Sequence, residues 1–252
     1  MQDEIRIIPI RGIGEVQPGA DLAEILLTAL ASTHQQLYAD DVLVVTQKVV
    51  SKAEGRLIDP DTLEPSAFAQ QIAAQGHKDA HYYELVLRES RRIVKMVGGV
   101  LITETHHGLI CANSGVDESN VGNGRLVCLL PEAPDTSAAR LRNHILERTG
   151  INLAVIISDT FGRPWREGQV NVAIGSAGLL PINDFAGIDD PYGYTMQATR
   201  IACADELASA AELVMGKIDQ VPAAIVRGYR FTPSEQANAQ ALVRDPRTDL
   251  FR

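Results

Sequence analysis

The sequence lacks the long apolar segments that membrane-spanning or secreted proteins carry. No run approaches the ~18 consecutive apolar residues of a membrane-spanning helix, and the first ten residues, MQDEIRIIPI, contain neither a basic leader nor a long apolar core. Positive charge is also in deficit, since 23 Lys and Arg against 32 Asp and Glu give a formal net charge of −9. We therefore expect a cytoplasmic protein that binds neither a membrane nor nucleic acid nonspecifically, although local basic pockets are compatible with this charge.

Cysteine is scarce as well. The chain has three, Cys111, Cys128 and Cys203, which are odd in number, far apart and surrounded by apolar residues. A disulfide framework or a zinc site requires paired or closely spaced cysteines. We expect buried, reduced thiols instead.

The standard motifs of nucleotide-binding and hydrolytic enzymes are missing. There is no G-x-x-x-x-G-K-[ST] phosphate loop, and neither G-x-G pair continues to the third glycine of the dinucleotide fingerprint. A kinase signature, a G-x-S-x-G elbow and H-E-x-x-H are absent too. These absences argue against the common nucleotide-binding folds.

The most informative stretch that is present covers residues 151–179. Residues 153–157 have the apolar pattern of a buried strand, and Ser158, Asp159 and Thr160 follow where we expect that strand to end. Carboxylate and hydroxyl oxygens suit Mg²⁺ or Mn²⁺, so we interpret this triplet as part of a cation site. In the alternative interpretation, Asp159 only caps the following turn.

Glycines and arginines follow the triplet. Small residues let a backbone approach a ligand closely, and guanidinium groups bind phosphate or carboxylate oxygens in a bidentate fork. The stretch therefore predicts a site for an anionic substrate and a metal, unless the arginines are simply solvated. The residues concerned are Gly162, Arg163, Arg166, Gly168, Gly175 and Gly178.

A second oxygen-rich cluster contains Asp117, Glu118 and Asn120. Two lysines four residues apart, Lys48 and Lys52, follow another predicted strand, and a helix there would place both ammonium groups on one face. Plain surface charge is the alternative for the lysines. The combined inventory fits metal-assisted phosphoryl chemistry, but spacing alone does not choose between a ligase, a kinase and a phosphatase.

Hydrophobic periodicity assigns the rest of the chain to one compact α+β unit, which we expect to have two lobes. The predicted strands cover residues 5–10, 41–45, 100–105, 109–112, 153–157 and 221–226. The predicted helices cover residues 22–37, 65–74, 80–96, 137–149 and 197–215. We expect Gly150 and Gly216 to end the last two helices.

Several long motifs together resemble one family. They are TQKVVSKAEGR, ANSGVDESN, ISDTFGRPWREG with VAIGSAG, and ELVMGK with VPAAIVRG. In this order they resemble the GTP-dependent γ-glutamyl ligases of coenzyme F420 biosynthesis, the CofE type. The likeness runs from about Ile7 to Arg227, nearly the full chain.

The resemblance implies a CofE-like α+β fold, with mixed and antiparallel sheets and packed helices, that forms an intertwined homodimer. It implies that residues 1–252 form a single ligase domain, without the nitroreductase-like C-terminal domain that is fused to some members. The implied small-molecule substrates are GTP, L-glutamate and a deazaflavin precursor of coenzyme F420.

In the implied reaction, GTP phosphorylates the terminal carboxylate of the deazaflavin precursor. The amine of L-glutamate then attacks the acyl phosphate, which gives an amide, GDP and phosphate. Three alternatives stay open: a metal-dependent phosphatase that uses the same aspartates, an amide ligase for a different carboxylate substrate, and a nucleotide-binding module that has lost activity.

By position, the resemblance assigns Asp117 and Asp159 to a first divalent cation, Mn²⁺ or Mg²⁺, and Thr160 to a second, with K⁺ as a further candidate ion. Lys52 and Arg163 join the two aspartates as implied catalytic residues. The implied nucleotide contacts are Ile13, Gly14, Glu15, Val16, Gln47, Lys48, Lys52, Asn120, Met215, Gly216 and Lys217.

One position departs from the family pattern. Where members can place an oxygen ligand for the second cation, after Met-Gly, this chain has Lys217. An ammonium group cannot coordinate a metal ion. Either another residue, such as Glu118, supplies the ligand, or Lys217 itself contacts phosphate.

Overall fold

The computed structural model describes residues 4–121 and 125–249. Its helices are α1 (Leu22–Ser32), α2 (Gln47–Ala53), α3 (Ala67–Ala73), α4 (Ala80–Arg88), α5 (Pro134–Thr149) and α6 (Cys203–Met215). Its strands are β1 (Arg6–Pro9), β2 (Val42–Thr46), β3 (Leu57–Ile58), β4 (Ser90–Val97), β5 (Val100–Thr105), β6 (Ile110–Ala112), β7 (Val127–Cys128), β8 (Ala154–Arg163), β9 (Arg166–Leu179), β10 (Asn183–Asp184), β11 (Arg200–Ile201), β12 (Ala223–Arg227) and β13 (Pro233–Ser234). The α+β class is confirmed, whereas the homodimer stays a prediction.

A six-stranded mixed sheet with the order β1-β12-β2-β8-β9-β13 forms the centre of the molecule. Strands β2 and β8 are parallel, and the other neighbours in this sheet are antiparallel. A parallel pair needs a long crossover, and here the chain between β2 and β8 contains helices α2 to α5 and two small sheets.

Both faces of the central sheet are covered, which explains the continuous apolar runs of its inner strands. In β2, Leu43 and Val45 pack into a cluster with residues of α1 and α5. The alternate residues, Val42 and Val44, pack into a second cluster with α6. Successive side chains of a strand point to opposite faces, so a strand buried on both sides must be apolar at every position.

A third apolar cluster lies within the crossover. It contains residues of α3 and α4 together with Leu101 of β5, Val116 and Leu129. The three-stranded antiparallel sheet β4-β5-β6 belongs to this part of the chain.

The helix predicted for residues 80–96 is wrong in its second half. Helix α4 ends at Arg88, and the chain continues as strand β4, which pairs with β5 from Ser90 opposite Thr105 to Val97 opposite Val100. The segment carries β-branched Ile93, Val94 and Val97, and pairing with the next strand across the turn at residues 98–99 decides its conformation.

The strand end predicted after residue 157 is also wrong. Strand β8 continues through Asp159 to Arg163 and forms a long antiparallel hairpin with β9. Most of the glycine- and arginine-containing stretch that follows Asp159 is therefore strand. Gly175 is needed within it, since a Cβ there would lie 2.5 Å from backbone atoms of Pro134 in α5.

The helix predicted for residues 197–215 is wrong at its start, since α6 begins at Cys203 after strand β11, and the helix predicted for residues 22–37 ends at Ser32. Two other predictions are confirmed. Helix α5 ends at Gly150, which has a left-handed conformation with φ of 70°. The three cysteines are free and buried. Among the described residues, none of the helices combines the length and apolar character that a membrane crossing requires.

Glu84 of α4 holds the start of α3. The backbone N–H of Ser66, the N-cap residue of α3, donates to Glu84 Oε2 over 3.0 Å, and Arg88 Nε donates to Oε1 over 2.8 Å. These hydrogen bonds, foremost that from the Ser66 backbone, lower the pKa of Glu84 to about 2.

Glu84→Gln is expected to lower the free energy of unfolding at neutral pH by about 1–3 kcal/mol. A lowered carboxyl pKa stabilises the folded state fully above the unfolded value of 4.5, and this contribution is lost as pH falls toward about 2. Urea denaturation at about pH 7 and about pH 3 measures the difference, which should shrink at the lower pH. Glu64→Gln, at an exposed carboxylate, is the control. Equal effects of both variants would contradict this role of Glu84.

Candidate active site

The parallel pair β2 and β8 brings the first charged residues together. In its register Thr46 lies opposite Ser158. Helix α2 starts immediately after Thr46, with Lys48 in its first turn, and Asp159 is the next residue of β8. Because parallel strands have their carboxyl ends at one edge of the sheet, Lys48 and Asp159 stand at the same edge.

Lys48 connects this edge to the loop that contains Asp117. Its Nζ lies 2.6 Å from Asp117 Oδ2, 2.6 Å from the Ser119 carbonyl oxygen and 2.9 Å from Ser119 Oγ. Ser119 also donates its N–H to Asp117 Oδ1 over 2.7 Å. The backbone of Asp117 is fixed by two hydrogen bonds to that of Cys128. The predicted metal ligand and the predicted nucleotide contact thus form one hydrogen-bonded group.

The two aspartates have different electrostatic environments. Burial acts to raise the pKa of Asp117, but hydrogen bonds from Lys48 and Ser119 outweigh it and the pKa is lowered. Burial raises the pKa of Asp159 to about 6, and the nearby charge of Asp117 adds to the rise. Since the second carboxylate is costly to ionise beside the first, a bound cation would relieve the pair.

Thr160 lies on the other face of β8, because successive strand residues alternate. It pairs with Asn171 across the β8–β9 hairpin and donates its hydroxyl proton to Asn171 Oδ1 over 2.7 Å. Asn171 is buried and donates from Nδ2 to Glu212 Oε2 of α6 over 2.8 Å. Lys217 reaches the same place and donates from Nζ to the Thr160 hydroxyl oxygen.

Lys52 brings the N-terminal loop to the site. Its Nζ lies 2.5 Å from Glu15 Oε1, and the lysine is only 6% exposed. Ile13 and Val16 on either side are buried in the α1 and α5 cluster, whereas Gly14 and Glu15 are exposed. The loop predicted to contact the nucleotide is therefore anchored by its apolar residues beside α2.

Three further residues predicted to contact the nucleotide differ in which of their atoms a ligand can reach. The side chain of Gln47 is buried and accepts a hydrogen bond from Ser51 Oγ over 2.9 Å. Met215 is fully buried in the α6 cluster, so only its backbone can contact a ligand. Asn120 is exposed and has a left-handed conformation with φ of 55°.

Arg163 lies apart from the aspartates. It is four residues beyond Asp159, roughly 13 Å along an extended strand. Near the tip of the β8–β9 hairpin, its Nη2 donates to the Glu167 carbonyl oxygen over 2.9 Å. The hairpin in this structure does not turn Arg163 back toward Asp159.

Two residues of the site were missed from the sequence, Ser119 and Asn171. Ser119 bonds both Lys48 and Asp117, and its place within the acidic run of the second cluster was a usable signal. Asn171 interrupts the apolar residues of β9, and a lone amide in a buried strand needs a partner.

The donor groups fit one divalent cation better than two. Asp117 and Asp159 are hard oxygen donors, and Mg²⁺ is commonly held by one or two carboxylates with water and substrate phosphates. The direct partners of the Thr160 hydroxyl are an amide and an ammonium group, and the carboxylate beyond the amide, that of Glu212, already accepts from Asn171 Nδ2, so these groups as arranged do not fit a second divalent ion. The described ranges contain no group of three or more His, Cys, Asp and Glu residues that could hold a metal.

Comparison with known proteins gives consistent matches over almost the whole chain. A family model described as F420-0:Gamma-glutamyl ligase matches residues 11–228. Coenzyme F420:L-glutamate ligase of Methanothermobacter thermautotrophicus is 44% identical over 250 residues, covering 98% of this chain and 99% of the relative. The proteins of the same name from Methanopyrus kandleri (98% of each chain) and Methanocaldococcus jannaschii (84% of each) are 44% and 42% identical.

The chain belongs to the F420-0:gamma-glutamyl ligase family. In this family member, the matched range includes all the charged residues that meet at the candidate site. They are Glu15, Lys48, Lys52, Asp117, Asp159, Glu212 and Lys217.

We propose that Asp117 and Asp159 hold a divalent cation and that Lys48 competes with it. Lys48→Met should then raise the affinity of the nucleotide-free protein for Mn²⁺ by about tenfold, because it removes a positive charge in contact with Asp117. Electron paramagnetic resonance of free Mn²⁺ during a titration measures this affinity.

Lys52→Met is the matched control, since that ammonium group contacts Glu15 rather than an aspartate. Its affinity for Mn²⁺ should stay within about twofold of the wild type, as the charge removed is farther from the ion. Weaker Mn²⁺ binding by Lys48→Met would contradict the competition.

Proposed function

We propose that this protein joins L-glutamate to the terminal carboxylate of F420-0, a deazaflavin precursor of coenzyme F420, with GTP as the energy source. Support comes from the family match and from relatives, similar over nearly their full length, that are named coenzyme F420:L-glutamate ligase. The observation that carries the proposal is the contact of Lys48 with Asp117 at the end of the parallel β2–β8 pairing, where Asp159 follows Ser158. A ligase of this kind needs such a combination of cation ligands and phosphate-binding ammonium groups.

The proposed reaction has two steps. A carboxylate oxygen of F420-0 attacks the γ-phosphorus of GTP, and the bond to the β-phosphate oxygen breaks, which releases GDP. The amine of L-glutamate then attacks the carbonyl carbon of the acyl phosphate, inorganic phosphate leaves, and the nitrogen loses a proton. The product is an amide, and one phosphoanhydride bond has been consumed.

Lys48 and Lys52 are the groups that would bind the transferring phosphate. In the present structure both ammonium groups are hydrogen-bonded to carboxylates, Lys48 to Asp117 and Lys52 to Glu15. Phosphate oxygens are equivalent anionic acceptors, so a nucleotide can replace a carboxylate at either lysine without leaving a buried charge unpaired. Because Lys52 is the more buried of the two, an unpaired ammonium group would be more costly there than at Lys48.

A divalent cation at Asp117 and Asp159 would neutralise phosphate charge as it develops. The contribution of the chain itself is to fix the two carboxylates. Asp117 is held by Ser119 and by its bridge to Cys128, and Asp159 by the pairing of β8 with β9. Fixed donors cost little reorganisation during the reaction.

The protein incubated with F420-0, GTP, Mn²⁺ and L-glutamate is expected to give a product heavier by one or more glutamyl units, as measured by mass spectrometry. Omission of GTP or of glutamate should abolish the product. Asp159→Asn should reduce the rate roughly 100-fold or more, since it removes charge from the reacting centre.

Asp61→Asn, at an exposed position outside the site, is the control and should keep full activity. Release of phosphate without any gain in mass would reject the ligase and favour the phosphatase alternative. A glutamyl product that forms equally without GTP would reject the proposed energy source.

Substrate labelled with ¹⁸O in its terminal carboxylate tests the acyl phosphate. One labelled oxygen should appear in inorganic phosphate and the other in the amide carbonyl, because the attacking oxygen stays on phosphorus when phosphate leaves. Mass spectrometry of the released phosphate measures the transfer. With unlabelled substrate in H₂¹⁸O, phosphate should remain unlabelled; label from water would instead indicate hydrolysis.

A further inference from the structure

The ammonium group of Lys217 occupies the position next to Thr160 at which the resemblance implies a second metal ion. Lys217 follows Gly216, which ends α6, and its Nζ donates to the Thr160 hydroxyl oxygen. The charge of Lys217 also acts on Asp159, the neighbouring residue of β8. A positive charge therefore already lies beside Thr160, the residue to which the resemblance assigns the second cation.

The turn after α6 holds Lys217 in this place. Gly216 has φ of 61°, and a Cβ at this position would lie 2.2 Å from Asp219 Oδ2, so the Asp219 carboxylate packs against the glycine. The turn ends at Gln220, which has φ of 56°. Glycine is required here because its backbone conformation, φ of 61° with ψ of 179°, is one that other residues rarely adopt.

The hydroxyl of Thr160 is fixed by a chain of hydrogen bonds. Its proton is donated to Asn171 Oδ1, and the Asn171 amide donates to Glu212 Oε2. Asn171 is 2% exposed, so the orientation of its amide is set by these partners. Because its proton is donated to Asn171, the Thr160 oxygen uses a lone pair to accept the hydrogen bond from the Lys217 ammonium group.

Glu118 does not supply the missing ligand. Its carboxylate pairs with Lys78, and Lys78 in turn lies over the ring of Tyr82 in α4 at 5.4 Å from the centroid. This pair belongs to the part of the chain around α4, whereas Thr160 faces α6. The alternative that keeps a second metal through Glu118 therefore lacks support.

We propose that Lys217 is a built-in cation that replaces one divalent ion, so that each chain with bound nucleotide holds a single divalent cation. A divalent ion in contact with Thr160 would lie against the ammonium group, and their repulsion excludes it. Lys217 supplies positive charge to the nucleotide phosphates from this side, while the ion at Asp117 and Asp159 supplies it from the other. This role rests on the proposed use of a nucleoside triphosphate.

The test is the number of Mn²⁺ ions bound per chain, measured by equilibrium dialysis with a saturating nonhydrolysable GTP analogue. The wild type should bind one ion. Lys217→Glu, which removes the ammonium group and adds an oxygen ligand, should bind two. Lys217→Met removes the charge without adding a ligand and should still bind one.

Two controls complete the set. Lys95→Glu makes the same change of charge on exposed β4 and should leave the count at one. Thr160→Val combined with Lys217→Glu should return the count from two to one, and circular dichroism checks that each variant is folded.

A wild-type count other than one, or a count of one for folded Lys217→Glu, would overturn the proposal. The count requires no turnover, so it is independent of whether F420-0 is glutamylated. Failure of the ligase assay with the expected counts would reject the proposed reaction but retain the built-in cation.

Discussion

The parallel alignment of β2 with β8 sets the position of the groups in the candidate site. Each strand is buried on both faces, so neither can shift by one residue without moving apolar side chains between two separate clusters. The register places Thr46 opposite Ser158, and polar residues follow immediately after each of them in the sequence. Lys48 and Asp159 therefore take their places from the packing of apolar residues several positions earlier. The apolar packing that stabilises the fold therefore also fixes the positions of the charged residues at this edge of the central sheet.

Charge compensation is the second constraint. Lys48 and Lys52 are partly or fully buried, and an unpaired buried ammonium group is costly. In this structure Asp117 and Glu15 compensate them. A site for a polyanion must release these partners when the ligand binds, and it can do so cheaply only if phosphate oxygens replace carboxylate oxygens. The acidic residues near the lysines thus stabilise the site without ligand, in addition to any role toward a metal.

The sequence predicted local features well because local periodicity and turn residues determine them. Residues 41–45 and the end of α5 at Gly150 are examples. It failed where pairing with the next strand, rather than the periodicity of the segment itself, decides the conformation. Strand β4 exists because β5 lies beside it, and β8 continues past Asp159 because β9 pairs with it as far as Arg163. The aspartates and lysines were recognisable as chemistry, but their contacts, such as Lys48 with Asp117 across 69 residues, depend on the fold.

The continuation of β8 through the site has a consequence that a loop would not have. In a strand, Asp159 and Thr160 must point to opposite faces, so one faces Lys48 and Asp117 while the other faces α6. Two cations that contacted these neighbouring residues would approach the strand from different directions and would need separate sets of ligands. Carboxylates supply one set. On the α6 face the described partners of Thr160 are an amide and an ammonium group, which can fix the hydroxyl and provide positive charge without any metal. Alternation along a single strand therefore allows the two halves of the site to differ in the kind of cation that each one uses.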